Sequence, residues 1–334
     1  MNVNLRRCAT AAIAILALSG CSPANKATQD AQGDLKAAQS AAFVGNTQLA
    51  RSWVDRAIAA DPNDINLYFA DPANGPTPNL TISKIFSDVG DSPSLVLYMR
   101  KAAQQFPTEY APLDSLVDND LLMGDKVNLQ KDATSLIKVL NAAILLPKNS
   151  SIVPQLTYLL AYDYCIAGNP TIGVQKFAQL IATTPSDPEP LNGLAYYYAT
   201  ANDKPHLQAA LTDATKAVSL ASALPKSDDN DVVIAECEDT LAWVQYRLGD
   251  YADAEQNSEL AVGTLPTIPE IRYHLAMIYA ALGKTDGAKV EINHALLLNP
   301  SYADAIAENS LLNDAAPAAK TAQAVSTGTT VPTP

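Results

Sequence analysis

Residues 235–266 read AECEDTLAWVQYRLGDYADAEQNSELAVGTLP, and residues 269–300 read PEIRYHLAMIYAALGKTDGAKVEINHALLLNP. Set one above the other, Leu241-Ala242, Gly249-Asp250-Tyr251, Ala254, Ala261 and Pro266 stand over Leu275-Ala276, Gly283-Lys284-Thr285, Ala288, Ala295 and Pro300, each pair 34 residues apart. A period of this length fits a unit of two antiparallel helices. One unit cannot bury its apolar face alone, so neighbouring units stack and share one continuous core. Alanine recurs where two helices approach most closely. Glycine ends the first helix, where a left-handed residue is needed, and proline stops the second.

The spacing extends back along the chain. A first unit spans Asp34 to Asp64, with Ala37, Ala38 and Ala41, a turn at Gly45-Asn46-Thr47, then Ala50, Val54 and Ala57. The proline-rich residues 71–78 interrupt the next helix and predict a surface loop. Gly90-Asp91, Leu95, Met99, Ala102 and Pro107 keep the second half of a unit whose first helix is shortened. Leu116, Val117, Gly124-Asp125, Ala142, Ala143 and Pro147 form a longer unit, and Leu160-Ala161, Gly168, Gly173, Phe177, Leu180 and Pro185 a regular one. Leu194-Ala195 opens a unit with Asn202 at the glycine position and an insertion near Pro205. From Ala221 to Asp231 the spacing fails; this predicts a loop, with Asp231 capping the following helix. After Pro300, residues 302–312 predict one more amphipathic helix that covers the end of the stack. The repeat domain is thus placed at 34–312. The Ala-, Thr- and Pro-rich residues 313–334 are expected to form a disordered tail.

Arg6 and Arg7 precede an apolar run, residues 11–18, far too short for a permanent membrane span. This reads as a signal peptide over residues 1–20. Its end, Leu18-Ser19-Gly20-Cys21, resembles the lipobox of bacterial lipoproteins, which implies acylation of Cys21 and a polar tether over 21–33. Ser22, rather than an aspartate, follows Cys21; under the enterobacterial sorting rule this points to the outer membrane, with the domain facing the periplasm. The chain carries 22 Lys+Arg and 35 Asp+Glu, a net charge of −13. Loss of residues 1–20 removes two arginines and no acid, leaving −15. Such a balance argues against nucleic acid. Cys165 and Cys237 fall on first helices of non-adjacent units, beyond disulfide reach, and are expected as buried apolar residues.

At the repeated residues the chain resembles the tetratricopeptide-repeat (TPR) family. The resemblance implies an all-α right-handed solenoid of antiparallel helix pairs whose role is to hold a partner protein. In that family the concave groove is lined by fixed first-helix positions, here Tyr158, Tyr162, Glu189, Asn192, Tyr196, Glu236, Asp239, Trp243, Tyr246, Arg247, Glu270, Tyr273 and Met277. The row is aromatic and acidic. Aromatic side chains are frequent interface anchors, and the acids favour a basic partner. Residues 235–300 are also similar to TPR lipoproteins found with PEP-CTERM and exopolysaccharide systems, which implies a scaffold in envelope assembly or polymer export. Two other readings stay open: stacking of sugars on the rings, and a structural spacer.

Reactive groups are few. His206, His274 and His294 have no recognisable third ligand, and no G-x-S-x-G, phosphate loop or H-E-x-x-H occurs. The acidic residues 228–231 lack the central glycine of a calcium loop. No enzyme activity, metal or cofactor is expected.

Overall fold

Among the described residues, seven turns with a left-handed residue join helices into hairpins. Gly45, Gly90, Gly124, Gly168, Gly249 and Gly283 have φ between 64° and 90°, and Asn202 has φ 49°. Asparagine tolerates this region better than other residues with a Cβ, so the substitution at the glycine position keeps the turn. At Gly249 the closure is that of a Schellman motif: the Asp250 N–H donates to Gln245 O at 2.9 Å and the Gly249 N–H to Tyr246 O at 3.1 Å.

The computed structural model describes residues 23–69 and 80–314. Among these are fifteen α-helices and no strand. The hairpins are α1 (Pro23–Phe43) with α2 (Thr47–Ala60), α3 (Ile82–Asp88) with α4 (Ser92–Gln105), α5 (Ala111–Leu122) with α6 (Lys126–Ala143), and α7 (Val153–Ile166) with α8 (Pro170–Thr183). They continue with α9 (Glu189–Thr200) and α10 (Leu207–Ser222), α11 (Asp228–Leu248) and α12 (Tyr251–Thr264), and α13 (Pro269–Ala281) and α14 (Thr285–Leu298). The single helix α15 (Ala303–Asp314) ends the stack. No described helix is long and apolar enough to cross a membrane.

The alanines placed by the period are where the helices touch. Ala242, Ala254, Ala261, Ala276, Ala288 and Ala295 are all fully buried. The irregular units also follow the sequence. The helix α3 has only 7 residues, α6 has 18 where α8 and α12 have 14, and the insertion near Pro205 forms a 3-10 turn, Lys204–His206. Cys165 and Cys237 are buried free thiols.

Three boundaries differ from the sequence reading. Helix α1 begins at Pro23 and Ala31 is fully buried, so most of the expected tether is helix packed into the first unit. The expected loop up to Asp231 ends at Ser227, whose side chain accepts from the Asn230 N–H at 3.2 Å. Ser227, not Asp231, is therefore the cap. Asp228, Asp229 and Asp231 lie in the first turn of α11, where carboxylates are stabilised by the helix dipole. At the other end, Asn313 and Asp314 belong to α15. Residues 1–22, 70–79 and 315–334, on which the expected signal peptide with its lipobox-like end, the expected loop at 71–78 and the rest of the expected tail fall, lie outside the described residues.

The C-terminal end of the stack folds back onto its second and third hairpins. An ideal Cβ on Gly90 would stand 3.1 Å from both Leu298 O and Pro300 Cδ, and one on Gly124 would stand 3.2 Å from Ala303 Cβ. Leu122, at the end of α5, packs against the cluster of Ala276, Ile292, Ala295, Tyr302, Ala305 and Leu312. The start of the final helix thus rests on the turns of the second and third hairpins.

Candidate interaction face

The first helices α7, α9, α11 and α13 pack in sequence against one another, and the positions named above all fall on them. Period alone brings them into register. Residues from α7, α9 and α11 join one core cluster, which includes Tyr158, Tyr162, Tyr196 and Trp243, with Tyr246, Tyr273 and Met277 packed against it.

The geometry is closed rather than open. Tyr158, Tyr162, Asn192, Tyr196, Glu236, Asp239, Trp243 and Glu270 are 6 % exposed or less. Glu189, Tyr246, Arg247, Tyr273 and Met277 are half-buried. The expectation of a groove lined by accessible rings is corrected accordingly: the curvature is tight enough for the lining to fill its own space. Period specifies which face a residue occupies, whereas curvature is set by packing summed over many units.

Trp243 is the centre of the face. Its ring stacks on His274 at 4.1 Å and on Tyr246 at 4.8 Å with only 3° between the latter planes. The Arg247 guanidinium lies 4.3 Å from the Trp243 ring centre and its Nε–H donates to Ala199 O at 3.0 Å. An Arg held over an indole is an attractive cation–π arrangement. Tyr273 meets Tyr302 edge-on at 5.4 Å, and Tyr158 meets Phe177 edge-on at 5.7 Å.

The acids are engaged within the face. The Tyr196 hydroxyl donates to Glu270 Oε1, and His274 Nδ1 lies 2.9 Å from Asp239 Oδ2. Glu270 and Asp239 are thus engaged by intramolecular partners, which removes the main support for a basic partner. Burial, reinforced by the Asp187 carboxylate, raises the Glu189 carboxyl to about 7. Burial also raises the hydroxyls of Tyr246 and Tyr273 above their ordinary value. Reasoning from the sequence missed Tyr302, just before α15, and Leu122, at the end of α5, which pack against Tyr273 and its cluster. Neither stands at a recognisable lining position of a complete unit.

Among the described residues no group of three or more His, Cys, Asp or Glu side chains is arranged to hold a metal ion. His274 is buried against Asp239, whereas His294 is half exposed and lies 3.7 Å from Glu291.

A family model described as tetratricopeptide repeat matches residues 269–302, the unit whose register opened the sequence reading. Nearly the whole chain also superposes on yeast Tom70 with a TM-score of 0.51 at 17% identity, covering 91% of this chain and 57% of that one. The fold is a tetratricopeptide-repeat solenoid. TTC0263, a thermophilic TPR protein in Thermus thermophilus, aligns at 21% identity and TM-score 0.43 over 59% of this chain and 98% of its own. YrrB, a TPR protein with an unusual peptide-binding site, aligns at 11% identity and TM-score 0.36 over 64% of this chain and 97% of its own. No curated protein matches the sequence. The TPR match covers one unit of this solenoid, and the left-handed turns carry the same hairpin back to α1.

Proposed function

We propose that this TPR chain is a non-catalytic scaffold that holds a segment of another protein on its concave face. The supporting observation is the convergence of Trp243, Tyr246, Tyr273 and Met277 from two adjacent first helices onto one patch, in which Tyr246 and Tyr273 are only half-buried. Large rings with a polar edge supply contact area at low entropic cost. The lipobox at Leu18–Cys21 supports an acylated lipoprotein of the bacterial envelope, anchored through Cys21 in the outer membrane and facing the periplasm. The similarity of residues 235–300 to TPR lipoproteins of exopolysaccharide systems supports a place in envelope assembly or polymer export. A sugar-binding role is disfavoured by the same geometry: His274, Tyr246 and Arg247 already lie on the Trp243 ring.

Site-specific photo-crosslinking tests this reading. A photoreactive phenylalanine analogue at Tyr246 or Tyr273 is expected to give a discrete adduct with one envelope protein in intact cells. The same analogue at Leu260, 57% exposed on the second helix α12, is expected to give none. Adducts from Leu260 alone would reject the concave face.

A further inference from the structure

The concave face is shut by contacts between distant parts of the chain. The backbone of Leu298 to Pro300 sits so close to Gly90 that a side chain there would meet it at 3.1 Å, and Ala303 stands in the same way against Gly124. Leu122 adds an apolar contact to the Tyr302 cluster. The closing element is held on one side only, because Ile306 and Leu311 on α15 are 47% and 63% exposed. Segments with few buried contacts open before the rest of a fold does.

Two polar groups on the first helices α9 and α11 are buried without partners among the described residues. The Trp243 Nε1–H has no acceptor and Asn192 Oδ1 has no donor among the described residues, while the side chains are 3% and 1% exposed. Native cores rarely leave such groups unsatisfied, since each lowers the stability of the closed form. A state in which they meet water or another main chain relieves that cost.

Resting on the reading of the concave face as a docking surface, we infer that residues 298–303 are a latch on the turns at Gly90 and Gly124. When it opens, the face admits an extended peptide segment. A carbonyl of that segment accepts from the Trp243 Nε1–H, and one of its N–H groups donates to Asn192 Oδ1.

The test uses the full mature chain carrying Trp53→Phe, which leaves Trp243 as the sole tryptophan, with acrylamide as the probe. Ala303→Arg wedges the contact, and Gly124→Cys with Ala303→Cys locks it. The Cβ positions, 3.2 Å apart, are a few tenths of an ångström from the disulfide range; Gly124 has φ 64°, so a cysteine there is strained in both redox states and the reduced lock is the control, while Cys165 and Cys237 are buried. With helix content unchanged by circular dichroism, the wedge is expected to raise the quenching constant of Trp243 by about threefold or more, as local opening exposes it. The oxidised lock is expected to lower quenching below wild type, and reduction to restore it. Equal quenching in wedge and oxidised lock would overturn the latch, because the face would then be a permanent core. If the wedge unfolds the chain, the lock decides alone: quenching unmoved by oxidation or reduction overturns the proposal. A latch that opens while Tyr246 and Tyr273 give no photo-adduct keeps the latch and rejects the docking reading.

Discussion

His274 Nδ1 lies 3.0 Å and 2.9 Å from the two carboxylate oxygens of Asp239, across the α11–α13 contact, with both side chains buried. Placed where water does not reach, either group alone would be an unpaired polar or charged group. Breaking a buried pair from one side typically costs about 3–5 kcal/mol. His274→Ala and Asp239→Ala are each expected to lower the denaturant midpoint by that order. The double variant is expected to lose clearly less than the sum, because the second removal takes away a group already orphaned. Additive losses would show that the pair is not coupled.

The chain is expected to lose stability as pH rises through neutrality. Burial, reinforced by the neighbouring Asp132, raises the Asp120 carboxyl to about 7, and burial with Asp187 raises Glu189 to about 7. In each case the folded state holds its proton more tightly than the unfolded chain. The contribution is therefore full below the ordinary carboxyl range near 4 and is lost as pH climbs through about 7. Urea titrations at pH 5 and pH 8 should show the drop, and Asp120→Asn with Glu189→Gln should reduce it. An unchanged difference in the double variant would contradict these assignments.

Two glycines separate packing from backbone freedom. A Cβ on Gly173 would lie 2.4 Å from Ala161 O and Cys165 Sγ, whereas one on Gly263 would meet nothing within 4 Å. Gly173→Ala must force α7 and α8 apart and is expected to cost about 1–3 kcal/mol. Gly263→Ala sits in open helix and is expected to add about 0.5–1 kcal/mol. Melting curves of the two variants should move in opposite directions; a shared direction would contradict the packing described for α7 and α8.

Much of this architecture was legible in the sequence, for local reasons. A left-handed turn needs a particular residue, so Gly249, Gly283 and even Asn202 mark hairpin tips. The tightest helix contacts admit only small side chains, so Ala254, Ala288 and their equivalents mark the register. The closing contact was not legible. Gly90 and Gly124 are already required by their turns, and nothing local distinguishes a glycine that also receives Pro300 or Ala303. For the same reason the residues named as lining were expected to be accessible, whereas most of them are buried. Asp239 and Glu270 read as acids for a basic partner, and only the fold shows His274 and Tyr196 on them.

Anchoring is tested separately from the fold. Fatty-acid labelling is expected to mark the wild-type protein and not Cys21→Ser, which should appear in the soluble periplasmic fraction. Labelling that survives the substitution would contradict acylation at Cys21.

The central claim is that the concave face carries the partner, and its most direct measurement is a binding isotherm between the purified mature chain and the segment crosslinked at Tyr246. Tyr246 is half-buried and Leu260 is exposed on the opposite helix layer, so both can be truncated with the chain still folded. Loss of an anchoring ring costs about 2 kcal/mol or more. The account predicts that Tyr246→Ala weakens binding by about tenfold or more while Leu260→Ala leaves it unchanged. Full affinity in Tyr246→Ala together with a loss in Leu260→Ala would contradict it.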